Sequence, residues 1–320
     1  MAVHMNPLSA VNPRPEVQSL HLFDADALAE AVRSSRFEHV QLERGEFRAE
    51  LKCITLGDLI LNSGCYTRKV IARGDFPPGS IVLGCVLDSR EEGYINGYRF
   101  NRNDVVIFPK GAELDYVQPA ATRWCAIPLS EALLEKAGCE EMRIDKIKVM
   151  PGNWPLTRLM GSLLNNHPPD LTAGAAYSGS QPAPTEAILL DQIRRVLQHY
   201  CGELNVRRAS AQNRMALVRK FEQKVRERID ETLRIPELCI ELGVSQRVLE
   251  YVLKEEIGVT PKQFSDVLRL NAFRRELLHR STENQTITQI AGRYGLSHLG
   301  RLSAAYLRQF GEYPSDTLRR

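Results

Sequence analysis

Five side chains with strong hydrogen-bonding ends cluster over nine residues of the carboxy-terminal third: Gln246, Arg247, Glu250, Tyr251 and Lys254. Read as a helix, the segment gives Leu249, Val252 and Leu253 to a core, which leaves these five facing outward. Such a face offers recognition rather than catalysis. Arg247 can pair bidentately with a guanine edge, Glu250 can accept from cytosine N4, and Lys254 suits a phosphate oxygen. The plain alternative for each is a solvated helix face, and for Glu250 the two readings balance.

Catalytic and metal chemistry find no comparable pattern. No G-x-S-x-G, Walker loop or H-E-x-x-H occurs, and no histidine lies between His39 and His167. The seven cysteines, at 53, 65, 85, 125, 139, 201 and 239, are odd in number, dispersed and without a C-x-x-C pair. That usage fits a reduced compartment and neither a disulfide framework nor a Cys-rich zinc site. Cys65, Cys85 and Cys125 fall in predicted strands, where a buried structural thiol is the ordinary reading. No metal and no cofactor is expected.

An outward-facing helix needs a partner to hold it. A helix-turn-helix of about 20 residues needs a small fifth residue, Gly at the ninth position and apolar residues near positions four, eight, ten, fifteen and eighteen. Aligned on Gly243, the chain places Leu238, Cys239, Leu242, Val244, Leu249 and Val252 there. Aligned on Gly295, it places Ile290, Ala291, Tyr294 and Leu296, after which the apolar position slips by one to Leu302. Both glycines are expected in the left-handed conformation of the turn. Between the units, Thr260-Pro261-Lys262-Gln263 reads as a capping box with Pro at the first helical position. The helix it opens runs through Phe264, Val267, Leu268, Leu270 and Phe273 toward Leu278. At about 1.5 Å per residue it spans roughly 28 Å, a spacer able to set two recognition helices about one DNA turn apart. Thr286-Ile287-Thr288-Gln289 is a second capping box, opening the second unit.

Charge supports the same third. Residues 207–320 hold 21 basic and 14 acidic side chains, a net of +7, whereas residues 1–206 hold 21 and 25, a net of −4. The whole-chain +3 therefore averages two unlike parts, of which the basic one suits a polyanion. A single glycine-centred helix pair is common in helical proteins. Two of them with a capped spacer and a basic excess favour DNA.

The first 200 residues have a different texture. With 43% hydrophobic and 25% charged residues, the 320-residue chain can bury a real core, and its length suggests two domains. From about Phe37 to Leu129, short alternating runs such as residues 46–53 are punctuated by turn residues, among them Gly57-Asp58, Asn96-Gly97 and Pro109-Lys110-Gly111. Many short strands of this kind predict a sandwich or small barrel. Helices are expected over residues 130–136, 154–166 and 186–200. In the last, Leu189, Ile193, Val196 and Tyr200 form one stripe, read equally as packing on its own domain or as a dimer seam. Residues 1–18 read as a flexible arm, 167–185 as a surface loop and 202–213 as a linker. The most apolar run, Ile81 to Leu87, is far short of the roughly 18 residues a membrane helix needs. The polar start of the chain resembles no signal peptide, and a cytoplasmic location without membrane association is expected.

From Ile290-Ala291 through Tyr294-Gly295-Leu296, Leu302 and Tyr306 to Phe310-Gly311-Glu312-Tyr313-Pro314, the sequence resembles the signature of AraC/XylS-type bacterial transcription regulators. The resemblance covers roughly residues 215–320. It implies a seven-helix domain whose two recognition helices, here about Ser245 to Glu256 and Ser297 to Phe310, enter successive major-groove segments. The base-reading positions of that family fall on Arg247, Glu250 and Tyr251. On the second helix they include Leu299, Gly300 and Ala304, whose side chains make no hydrogen bond. His298, Arg301 and Ser303 are the polar candidates there, with Leu299 suited to a thymine methyl. The resemblance also implies a cupin-like β-barrel before the DNA-binding domain, and Asp104 to Gly111 is similar to the second strand-turn of cupins. The metal-binding histidine of catalytic cupins falls on Leu114, which cannot ligate, so the barrel is expected to be metal-free and non-catalytic.

The expected protein is thus α+β. A cupin-like sensing and dimerising domain with flanking helices occupies residues 19–201, and an all-α domain with two helix-turn-helix units occupies 214–320. Its expected role is a homodimeric transcription activator that binds double-stranded DNA, answers to a small-molecule effector in the barrel and meets RNA polymerase. Two alternatives stand beside it: a regulator whose barrel only dimerises, and an enzyme tethered to DNA.

Overall fold

The computed structural model describes residues 16–22, 25, 36–165, 185–200, 209–231, 233–279, 285–296 and 298–319. The amino-terminal part contains β1 (Glu16–Leu22), β2 (Arg36–Gln41), β3 (Ala49–Leu56), β4 (Leu59–Tyr66), β5 (Val70–Asp75), β6 (Ile81–Asp88), β7 (Gly93–Ile95) and β8 (Tyr98–Phe100). It continues with β9 (Val105–Phe108), β10 (Glu113–Gln118), β11 (Arg123–Leu129), helix α1 (Glu131–Lys136), β12 (Lys148–Met150), α2 (Pro155–Leu164) and α3 (Thr185–Tyr200). Strand β1 starts inside the segment read as an arm and pairs with β3, Leu20 opposite Leu51. Residues 1–15, most of the expected loop (167–184) and the first part of the expected linker (202–208) lie outside the described residues, whereas residues 209–213 of that linker begin a helix.

The strands do not close into the expected barrel. They form two open antiparallel sheets, one in the order β1-β3-β4-β11-β6-β9-β12 and the other β2-β5-β10-β7-β8. The central strands of each sheet are covered on both faces, so their apolar sides are buried without the strands closing on themselves. On the larger sheet, Ile81 and Leu83 of β6, Val105 and Ile107 of β9 and Ile127 of β11 join a core with α1, α2 and α3. The residues between them, Val82, Val86, Val106 and Phe108, join Ile95, Phe100 and Tyr116 of the smaller sheet. The α3 stripe belongs to the first of these cores. Leu189, Ile193 and Val196 are 0–1 % exposed and Tyr200 9 %, so a dimer seam made of these four would require them to leave their own core.

An apolar cavity of about 90 Å³ lies between the sheets, and Leu114 is one of its walls. His39 is another, 3 % exposed and edge-on to Tyr66. Burial, against the opposing pull of Glu38, holds its imidazole uncharged, the pKa lowered to about 4. An unfolded chain protonates the same group near 6.5, so it binds more protons between these values, and stability is lost as the pH falls from about 6.5 toward 4. For wild type we expect a loss of roughly 2 kcal/mol from this group between pH 7 and pH 5. His39→Leu should remove that part of the slope in urea unfolding at the two values. An equal slope in the variant would assign the titration to another group.

Among the described residues, no helix is long and apolar enough to cross a membrane.

Candidate nucleic-acid interface

Seven helices make up the described part of the carboxy-terminal domain: α4 (Ala209–Glu227), α5 (Ile235–Leu242), α6 (Gln246–Ile257), α7 (Pro261–Leu278), α8 (Ile287–Gly292), α9 (Leu299–Phe310) and α10 (Pro314–Leu318). Gly243 closes α5 in the left-handed conformation, φ 66°, and Ser245 caps α6 by accepting from the Val248 backbone N–H. Leu238, Cys239, Leu249, Val252 and Leu253 are buried where α5 meets α6, as the helix-turn-helix spacing predicts. In the second unit Gly295 takes φ 65° between α8 and α9. Ile290, Ala291, Leu302, Tyr306 and Phe310 make its core.

Helix α7 is the common wall of both units. Its capping box is formed as expected, Thr260 accepting from the Gln263 backbone N–H and Gln263 from that of Thr260. Phe264, Val267 and Leu268 pack in the core of the first unit, and Leu270, Phe273 and Leu277 in that of the second. Arg274, 6 % exposed, stacks over Phe310 and pairs with Glu312, which also accepts from Thr317. The last helix is thereby tied back to the spacer.

The outward face of α6 matches the sequence reading. Gln246, Arg247, Glu250, Tyr251 and Lys254 are all exposed, Tyr251 by 59 %. Their arrangement adds one fact that spacing did not supply. Gln246 Nε2 donates to Glu250 Oε1 at 2.9 Å, so one carboxylate oxygen is already engaged within the helix. On α9 the outward side is plainer: Gly300, Arg301 and Ala304 are exposed and Ser303 is half-buried. His298 precedes the helix and is exposed, without a side-chain capping bond. Ser297 and the Leu299 side chain lie outside the described residues.

Sequence reasoning missed the surface on which this domain rests. Helices α4, α6 and α7 pack on the outer face of the smaller sheet, where Val40, Ile71, Tyr94 and Val117 meet Met215, Val218, Phe221 and Phe264 in one core. Charged pairs surround the contact. Arg73 Nε lies 2.8 Å from Asp115 Oδ1 and its other end pairs with Glu222, while Arg219 also pairs with Asp115. Arg226 and Arg275 converge on Glu38 Oε1 at 2.8 and 2.9 Å. Burial pushes the Glu38 carboxyl up, but the two guanidiniums outweigh it and hold the pKa below the ordinary carboxylate range. Buried amides close the seam: Gln41 donates to the Gln309 carbonyl at 2.8 Å, and Gln309 donates back to the Gln41 carbonyl at 2.9 Å. Part of the basic excess of residues 207–320 is thus spent on the amino-terminal domain. Nothing in the spacing of Arg219, Arg226 and Arg275 distinguishes them from DNA-facing cations.

Comparison with known proteins points to the same domain. A sequence-family profile for a helix-turn-helix domain matches residues 238–320. The XylDLEGF operon transcriptional activator of Pseudomonas putida is 31% identical over 135 residues, 39% of this chain and 42% of that protein. The probable thc operon regulatory protein of Rhodococcus erythropolis is 32% identical over 89 residues, 28% of this chain and 27% of that protein. Among solved structures, a probable AraC family transcriptional regulator from Rhodopseudomonas palustris is 30% identical, covering 33% of this chain and 96% of that one with a TM-score of 0.31. The chain spans less than half the length of these two curated relatives. The relatives are regulators, not enzymes. The carboxy-terminal domain of the chain is a helix-turn-helix domain similar to those of AraC/XylS-type transcription regulators.

Proposed function

We propose that the chain is a homodimeric, cytoplasmic activator that reads operator sequence chiefly through α6 and answers to a small-molecule effector in its amino-terminal domain, with RNA polymerase as a further partner. The exposed face of α6 carries the reading. Arg247 serves a guanine edge, Lys254 a phosphate and Tyr251 a base or sugar face, while Glu250, steadied by Gln246, accepts from cytosine. His298, Arg301, Ser303 and Leu299 contribute positioning around α9, where Gly300 and Ala304 leave little to hydrogen-bond. Effector control is supported by the smaller sheet, which has the cavity on one face and the DNA-binding domain on the other. A ligand that favours one arrangement of its strands biases the docking of the helices.

Arg247→Ala is expected to weaken binding to a sequence selected from a random library by about 1–3 kcal/mol and to relax preference at one base pair. Fluorescence anisotropy on selected and scrambled duplexes measures both. Equal losses on the two duplexes would refute base reading by Arg247.

A further inference from the structure

The two helix-turn-helix units meet the amino-terminal domain in different ways. The first shares an apolar core with the smaller sheet. The core of the second is made, among the described residues, of side chains from α7, α8, α9 and the turn between the last two, with none from the sheets. Where the second unit does touch the amino-terminal domain, the contact includes buried amides. Gln41, Asn271 and Gln309 are 2 %, 4 % and 2 % exposed. Gln41 ends β2, an edge strand of the smaller sheet. An edge strand presents backbone groups that no neighbouring strand takes. Here Asn271 of α7 takes both groups of Gln41, its Oδ1 accepting from the N–H at 3.0 Å and its Nδ2 donating to the carbonyl at 3.2 Å. Gln309 of α9 donates to the same carbonyl at 2.9 Å.

The return contact falls on the end of a helix, where the last carbonyls have no partner within the helix itself. In α9 the Leu307 carbonyl accepts from the Gly311 N–H at 2.8 Å. The Gln309 carbonyl accepts instead from the other domain, from the Gly45 N–H at 3.0 Å and from Gln41 Nε2 at 2.8 Å. The Gln41 amide is itself fixed by the Gly45 carbonyl at 2.7 Å. Gly311, which ends α9, comes so near this turn that a Cβ on it would lie 3.1 Å from the Glu46 nitrogen. We infer that Gln41 is a positioning residue for DNA recognition. It completes the end of the second recognition helix from the amino-terminal domain and so fixes the angle at which α9 is presented. The consequence for DNA rests on the proposed reading in which both units contact the duplex, while the grip rests on the amides alone. A helix held in its binding pose gives up less freedom on association, and apparent affinity falls with the fraction of molecules in that pose.

Gln41→Leu in the full chain tests this with two readouts. Amide hydrogen exchange should quicken about tenfold over residues 305–311 and stay unchanged over residues 246–253 of α6. On a duplex selected from a random library, affinity should fall about 5- to 10-fold through lost contacts in one half, the half whose bases Arg247→Ala leaves unaffected. With that half scrambled, Gln41→Leu and the wild type should bind alike. Unchanged exchange at the end of α9 would overturn the inference. So would no loss on the intact duplex, or equal loss on both duplexes, which is what a general weakening of the fold produces. Should Gln41→Leu fail to fold, Gln309→Leu reads the same contact from α9 and must give the same split between the duplexes. Wild-type binding that is indifferent to the scrambled half sinks the proposed role of α9 on DNA instead, and the exchange result still decides the grip.

Discussion

Glu222→Ala is expected to cost about 3–5 kcal/mol and to uncouple the unfolding of the two domains. The Glu222 side chain is only 2 % exposed and lies between Arg73, which comes from the smaller sheet, and Arg226. Removing the carboxylate leaves the Arg73 and Arg226 guanidiniums, a quarter to a third exposed, close together without the buried charge between them. Arg73 keeps Asp115 and Arg226 keeps Glu38, which holds the loss toward the lower end of the range. Differential scanning calorimetry should turn one cooperative transition into two, with the helical domain melting first. A single transition at unchanged temperature would mean that the apolar contact of Val40, Ile71 and Val117 with Phe221 holds the domains together unaided. Glu222→Gln, which keeps the volume, separates the charge effect from packing.

Phe273→Ala is expected to destabilise the second helix-turn-helix unit by about 3–5 kcal/mol. The ring is fully buried at the middle of α7, edge-on to Tyr306 at 5.7 Å and to Tyr294 at 6.4 Å. Its removal opens a hole that the tyrosines cannot close, because Tyr306 is held by Thr317 and Tyr294 by Glu276. Phe273→Leu should lose much less. Urea unfolding followed by tyrosine fluorescence reads both, and a loss under about 1 kcal/mol in the alanine variant would show that the core is organised around another side chain.

What was legible in the sequence was what short-range physics decides. The caps at Thr260 and Thr286 and the turns at Gly243 and Gly295 are formed within a few residues of chain, and each is found where its residues put it. The Phe310-to-Pro314 signature has an equally local meaning: Gly311 ends α9 at φ 78° and Pro314 opens α10. Long-range pairing was not legible. Alternation in β2, β5 and β10 says that two faces exist, not that one borders a cavity and the other a second domain. The stripe on α3 predicted a buried face without naming what covers it. Asp115 and Glu38 gave no sign in the sequence that their partners would be arginines more than 100 residues away. For the side chains proposed to read DNA, the structure shows only that α6 leaves them exposed.

A shared wall is also a screw thread. Because α7 takes part in both cores, a residue inserted between the two sets of core positions would advance the second unit by about 1.5 Å and turn it by about 100° relative to the first. Separation and angular phase therefore cannot drift independently during evolution. On the proposed reading, an operator contacted by both units is confined to discrete spacings, and adapting to a shifted half-element means changing base contacts, since the ruler between the units cannot stretch.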